Sequence, residues 1–342
     1  MSDGPVTYSG AGVDRAGVQD ALASLRSRIR ETFNAHVVGD IGHFGGLFHL
    51  TGHRDPVLVS SIDGVGTKVL LAREAHRLAG VGRDAIVHGV NDIAVLGAAP
   101  LFALDYLAAT HLEPTEVAAL VDGMAAACRE EGVVLLGGET AQMPGVYTET
   151  GADVVACIVG VVDRAAISDG SSIRRGDVVI GLASDGLQTN GFTLVRAIMR
   201  RRGWTLDTTL PELGVPLADA LLVPHRSYRR GLRALSAASW LRGAAHITGG
   251  GLPGNLVRIL PASCRARIDT TAWPAPKIFE VLQAAGHVGR EEMFSTFNMG
   301  VGLAAVVPAD RAGLALDICR SNGAAGWIIG EVSSGERGVE LQ

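Results

Sequence analysis

Several short segments carry residue types suited to holding a phosphate or a hard cation. Asp63-Gly64-Val65-Gly66-Thr67-Lys68 directly follows an apolar run. Its glycines would let backbone N–H groups face an anion, Thr67 can donate a hydrogen bond, and Lys68 can offset phosphate charge. The segment is not a Walker A loop, because the G-x-x-x-x-G-K-[ST] spacing is missing. A tight strand-to-helix turn with a solvated lysine explains it equally well. Carboxylates recur at element ends or beside polar partners. Asp63 ends a strand-like run, and Asp92 follows Asn91 inside an apolar helix-like run. Asp105 interrupts a second strand-like run, and Glu139 follows Gly137-Gly138 and precedes Thr140. Magnesium takes hard oxygen ligands, usually one or two carboxylates with phosphate oxygens and water. A buried carboxylate without a partner is costly, so a metal or a strong donor belongs nearby. Helix capping and internal salt bridges are the alternative for each.

Three further segments fit a substrate or its phosphate. Gly39-Asp40-Ile41-Gly42-His43-Phe44-Gly45-Gly46 reads as a flap over phosphate or as a plain loop. Ser184-Asp185-Gly186-Leu187-Gln188-Thr189-Asn190-Gly191 places amide and hydroxyl side chains before a helix, whose N-terminus suits an anion. His246-Ile247-Thr248 leads into Gly249-Gly250-Gly251, and a histidine there can act as acid, base or phosphate donor. Asn298, in Phe297-Asn298-Met299-Gly300, is either a turn residue or a substrate contact.

The elements that must position these segments follow from periodicity and punctuation. Val57–Ile62, Leu101–Ala108, Val133–Leu136 and Val154–Val162 read as strands in the first half. Ala85–Leu96 has helical spacing, and a helix beginning at Pro114 runs to Glu131 and stops at Gly132. A polar stretch, Asp163–Arg175, separates the halves. After it, Asp177–Ala183, Val301–Val307 and Trp327–Val332 read as strands. Phe192–Arg202, Asn255–Ile259, Lys277–Ala285 and Ala309–Ser321 read as helical. No single βαβ order dominates. The expectation is an α+β chain of two domains, residues 1–166 and 167–342.

Composition narrows the function classes. The chain has 342 residues, 47% hydrophobic and 19% charged, which is globular and long enough for two cores. A net charge of −5, with no basic run of five, argues against a nucleic-acid partner. Residues 1–12 are polar, and no apolar stretch reaches the ~18 residues that a membrane span needs. Cys128, Cys157, Cys264 and Cys319 have no metal-ligand spacing and read as ordinary reduced residues. A cytoplasmic location is the expectation.

In this order the motifs resemble one family over about residues 8–330. They are Ala11-Gly12-Val13-Asp14, Asp63-Gly64-Val65-Gly66-Thr67-Lys68, Val90-Asn91-Asp92 and Gly137-Gly138-Glu139-Thr140-Ala141. Thr189-Asn190-Gly191, His246–Gly251 and Phe297-Asn298-Met299-Gly300-Val301-Gly302 complete the set. The family is aminoimidazole ribonucleotide synthetase, or phosphoribosylformylglycinamidine cyclo-ligase. The resemblance implies an N-terminal mixed sheet that joins its partner's across a homodimer into a barrel, and a C-terminal, sandwich-like α/β domain. It implies ATP, Mg2+ and the substrate formylglycinamidine ribonucleotide, whose amide oxygen is phosphorylated before the amidine nitrogen closes the ring. By the same resemblance Asp63, Gly64, Gly66, Thr67, Lys68, Asn91, Asp92, Gly138, Glu139 and Thr140 hold ATP, with Asp63, Asp92 and Glu139 on the metal. Gly42, Phe44, Gly45, Gln188, Thr189, Asn190, Gly249, Gly250, Gly251 and Asn298 face the substrate, and Lys68, Asn190 and His246 carry the catalysis. Three positions depart from the family pattern: Ser9 where a lysine is usual, Gln142 where a glutamate is, and Gln188 where a histidine is. Glutamine hydrogen-bonds but carries no titrating proton. A kinase of a small metabolite within the same superfamily, or a non-catalytic ATP-binding regulator, are the competing readings.

Overall fold

The computed structural model describes residues 7, 8, 10–13 and 15–342. Ser9 and Asp14 of the early motif lie outside the described residues. The chain divides into two compact units. One comprises Met1–Gly52, Ser60–Gly89 and Pro100–Val159; the other comprises His53–Val59, Val90–Ala99 and Gly160–Gln342.

The first part of the chain runs α1 (Arg15–Arg30), β1 (Val37–Val38), β2 (Leu47–Phe48), β3 (Pro56–Gly64), α2 (Lys68–Glu74), α3 (Leu78–Ala94), β4 (Ala99–Ala109), α4 (Pro114–Glu131), β5 (Val134–Gln142) and β6 (Ala152–Asp163). Four strands form one sheet in the order β3-β6-β4-β5, and β1 and β2 make a small antiparallel ribbon. β4 and β5 are parallel, with Asp105 opposite Gly138 and Tyr106 opposite Glu139. α4 shows how local signals set an element. Pro114 sits in its first turn, the Glu113 N–H donates to the Glu116 carboxylate at 3.1 Å, and Gly132 ends it at φ 65°. Val117, Leu120, Val121 and Met124 supply its buried face, on which α1 also packs.

The second part begins with β7 (Asp177–Ala183), α5 (Phe192–Arg202), α6 (Leu217–Leu221), α7 (Arg229–Ala237), β8 (Gly243–His246), α8 (Gly251–Leu256) and β9 (Cys264–Ile268). It ends with α9 (Lys277–Gly286), α10 (Arg290–Thr296), β10 (Val301–Pro308), α11 (Ala312–Ser321), β11 (Gly326–Ser334) and β12 (Gly338–Leu341). Six strands form one sheet in the order β12-β9-β11-β7-β10-β8. All neighbours are antiparallel except β12 and β9. β10 is buried from Val301 to Val307, which accounts for its unbroken apolar run. α7 and α11 cover this region through Tyr228, Leu232, Leu235, Ala315 and Cys319.

Both parts mix helices and strands as an α+β chain should. No helix among the described residues is long and apolar enough to cross a membrane. Cys128, Cys264 and Cys319 are buried free thiols and Cys157 is half-buried. Burial pushes the Cys128 thiol well above its ordinary value and that of Cys319 up to about 11.

Candidate active site

β3 delivers Asp63 to the end of the four-stranded sheet, where the carboxylate is half exposed. Its Oδ1 accepts the Gly64 N–H at 2.7 Å, and its Oδ2 lies 3.1 Å from His88 Nε2. Val65 stays tied to the sheet through its N–H, which donates to Val154 O at 3.0 Å, and Gly66 turns the chain at φ 59° into α2.

Lys68 is not the solvated lysine of a plain strand-to-helix turn. Its side chain is 1% exposed, and its ammonium lies 2.6 Å from the carboxylate of Asp84, which is 0% exposed. A lysine removed from water needs a counter-charge, and Asp84 supplies it. Lys68 therefore anchors the turn from inside.

Glu139 stands on β5. Its carboxylate is exposed, and Oε1 accepts the Thr140 N–H at 3.0 Å. Beside it, Asp105 reaches a cavity of about 860 Å³ that Gly138, Glu139, Thr140 and Gln142 also line, with Arg26 of α1. A Cβ at position 138 would lie 2.2 Å from Asp105 Oδ1, so only glycine lets β5 pass this carboxyl. Burial pushes the Asp105 carboxyl up to about 7; a backbone hydrogen bond opposes this and the Glu139 charge adds to it. A buried carboxyl beside an exposed carboxylate, both on adjacent strands, fits a cation brought between or beside them.

A pH dependence follows. The unfolded Asp105 releases its proton near pH 4, at about 3.9, whereas the folded group holds it to about 7. The folded chain binds the extra proton in that window, so stability falls as pH rises from about 4 to 7. Asp105→Asn should leave the melting temperature almost unchanged near pH 4 and raise it at pH 8. A variant that melts lower than the parent at pH 8 would show that the ionised carboxylate is a structural requirement.

Asp63 and Glu139 lie on β3 and β5, the two edges of the sheet, with β6 and β4 between them. At ordinary strand spacing that separates them by roughly 14 Å. That separation favours two cation positions over a single one shared by both carboxylates.

In the other unit, Asp92 and His246 come together from α3 and the end of β8. His246 is buried, and its Nδ1 donates to Asp92 Oδ1 at 2.8 Å. A carboxylate only accepts, so it fixes the tautomer with the proton on Nδ1. Beyond β8, Gly250 and Gly251 adopt φ 94° and 60°, and a Cβ at Gly251 would sit 1.8 Å from Phe294 O. These two glycines are required by the turn itself. Gly249 differs: a Cβ there would meet only Asn190 Oδ1, at 3.3 Å, so Gly249 faces the Asn190 amide. Asn255 holds the turn from behind, its Nδ2 donating to the carbonyls of Thr248, Gly249 and Gly251 at 3.3, 3.2 and 2.9 Å.

The loop before α5 is strained at one point. Gln188 is buried in the left-handed region at φ 64°, and its Nε2 donates to the Tyr228 hydroxyl at 3.2 Å. Non-glycine residues occupy that region at a cost of about 1–3 kcal/mol and do so most often at functional sites. Thr189 and Asn190 follow, with Asn190 Nδ2 donating to Thr189 Oγ1 at 3.5 Å.

Two more candidates have side chains committed inward. Asn91 was assigned to ATP, yet its side chain is buried and committed inward: Nδ2 donates to Arg226 O and Oδ1 accepts the Tyr228 N–H, both at 2.9 Å. Asn298 was a substrate candidate. Its Oδ1 accepts from the Ser184 hydroxyl and the Gly300 N–H, and its Nδ2 donates to the carbonyls of Gly186 and Leu187, so it holds two turns together. Phe44 is fully exposed, and no described residue lies within 4 Å of a Cβ at Gly42 or Gly45.

Residues the sequence reading passed over are His88, Asp84, His225 and Asn255. One signal was present: Asp84, His88 and Asp92 recur every fourth residue in a run that is otherwise largely apolar. His225 and Asn255 have no comparable local mark.

The two halves match the family descriptions "AIR synthase related protein, N-terminal domain" over residues 45–162 and "AIR synthase related protein, C-terminal domain" over residues 174–341. The phosphoribosylformylglycinamidine cyclo-ligase of Carboxydothermus hydrogenoformans is 43% identical over 337 residues, covering 98% of both chains. That of Anaeromyxobacter dehalogenans strain 2CP-1 is 46% identical, covering 97% of both. Among solved structures, thiamine-monophosphate kinase from Stenotrophomonas maltophilia K279a has a TM-score of 0.71 at 21% identity, covering 93% of this chain and 96% of its own. The hydrogenase maturation protein HypE in complex with ATP has a TM-score of 0.68 at 20% identity, covering 94% and 90%. These two structures share the fold. The full-length identities go further and show that the chain belongs to the phosphoribosylformylglycinamidine cyclo-ligase family.

Proposed function

We propose that this chain converts formylglycinamidine ribonucleotide to aminoimidazole ribonucleotide in purine biosynthesis, using ATP and Mg2+ and releasing ADP and phosphate. The observation that carries this reading is the 43–46% identity to cyclo-ligases over nearly their whole length. ATP, when bound, supplies the phosphoryl group that turns the amide oxygen of the substrate into a leaving group. Such a transfer needs mainly positioning and charge neutralisation.

The residues present fit that demand. The exposed oxygens of Asp63 and Glu139 are hard donors suited to Mg2+ at separate positions, and Asp105 adds a third carboxyl beside Glu139. Gly64, Gly66, Thr67, Gly138 and Thr140 border these carboxylates and are assigned to ATP. Asp92 orients the His246 imidazole through Nδ1, which suits a proton donor or a phosphate contact at the other ring nitrogen. Gly249, Asn190 and Thr189 are assigned to the substrate on the same reading. Lys68, Asn91 and Asn298 support the site from within.

A homodimer in the cytoplasm completes the proposal. Ile62 and Leu104 remain exposed, at 71% and 38%, on strands of the four-stranded sheet, where a second copy would cover them. Light scattering on the purified chain should give twice the monomer mass. Activity is tested by incubating it with formylglycinamidine ribonucleotide, ATP and Mg2+ and assaying the aminoimidazole. ADP release without that product would replace this reading with a kinase.

A further inference from the structure

We infer that His225 is a positioning residue of the ring-closing site, joining the loop of Gln188–Gly191 to His246. The inference rests on the cyclo-ligase reading for the reaction it serves, and on the following contacts for the role itself.

His225 belongs to neither loop and to no motif noted above. It is 2% exposed, and its Nε2 lies 3.0 Å from Thr189 Oγ1. Thr189 can donate to this nitrogen while its oxygen accepts from Asn190 Nδ2. The other side of the ring meets His246 edge to face, with centroids 5.6 Å apart and planes at 62°. His246 in turn donates to Asp92. The backbone behind His225 is itself clamped. The Asn91 amide bridges Arg226 O and the Tyr228 N–H, and the Arg226 guanidinium pairs with Asp185 of the same loop, its Nε 3.1 Å from Oδ2.

The contacts therefore close a ring. Asn91 and Asp92 are neighbours on one helix. Asn91 fixes the backbone that carries His225, and Asp92 fixes the imidazole that His225 packs against. A buried imidazole and hydroxyl cost more than apolar side chains of the same shape unless they are satisfied. Here the Nε2 edge of the ring and the Thr189 hydroxyl are paired with each other, beside His246. Gln188, next to Thr189, is an amide and carries no titrating proton. The imidazole that shapes this loop thus enters from position 225.

Three measurements on the full-length enzyme test this. His225→Phe keeps a ring against His246 and removes the hydrogen bond to Thr189. It should lower kcat by about 10- to 100-fold, the scale of a small misplacement of a reacting group, and change KM for the amidine substrate by less than about threefold. Adding Thr189→Val to His225→Phe should cost less than about twofold more, because both act through one contact. Backbone amides of residues 187–191 should exchange faster with solvent in His225→Phe. A kcat within twofold of the parent, or losses that multiply in the double variant, overturns the inference. Should His225→Phe fail to fold, His225→Asn poses the same question with a smaller side chain. If the parent itself forms no aminoimidazole, the cyclo-ligase reading fails, and the exchange measurement still decides: faster exchange at 187–191 sustains the role of His225, and unchanged exchange removes it.

Discussion

Lys68→Ala should destabilise the chain by about 3–5 kcal/mol, the scale for leaving one partner of a buried ion pair uncompensated. The Asp84 carboxylate is fully buried and faces that ammonium at 2.6 Å, so truncation strands a charge that water cannot reach. Urea unfolding followed by circular dichroism reads the effect directly. Replacing both partners by apolar residues, as in Lys68→Met with Asp84→Leu, should recover much of the loss, since burying two charges is itself costly. A Lys68→Ala protein within about 1 kcal/mol of the parent would mean that water or another group compensates Asp84. The result also separates two roles for the motif. If lysine acted on phosphate, its loss would reduce turnover in a protein of unchanged stability.

The second large effect is on catalysis. Asp92→Asn and His246→Gln should each lower kcat by about 10² to 10⁴-fold, the usual contribution of a positioned acid or base. Both melting temperatures should stay near the parent's, because Asp92 is partly exposed and its replacement retains an acceptor. The double variant should be little worse than either single one, as groups that act as a unit are not additive. Turnover in Asp92→Asn within about fivefold of the parent would remove this pair from the reaction.

How much of this was legible in the sequence depended on whether the signal was local. α4 was read from Pro114 to its stop at Gly132, and β7 and α5 were read at their observed bounds, because each has a start or stop residue with a steric reason behind it. β8, with the sequence Gly-Ala-Ala-His, carries no β-branched residue and is a strand only because β10 pairs with it. α1 and α7 were missed for another reason. Their arginine-rich runs look solvated, and their apolar residues acquire a partner only in the folded chain, α1 on α4 and α7 on α11.

The same division holds at the site. Asp63 and Glu139 stand next to glycines, and His246 closes a strand just before three of them; that pattern is visible in a single sequence. The partners that decide their chemistry are distant: His246 meets Asp92 across 154 residues. The buried state of Lys68 was likewise hidden, because the motif shows the lysine and not Asp84. Three glycines in a row suggested ligand contact as a group. The backbone angles divide them, two serving the turn and Gly249 facing Asn190.

The grip of Asn255 on three carbonyls of that turn has a consequence for recognition. A loop that must be ordered by its ligand forfeits affinity to lost freedom, whereas one already set in shape does not. On the proposed reading the turn is set before an anion arrives, so guests are told apart by charge and fit.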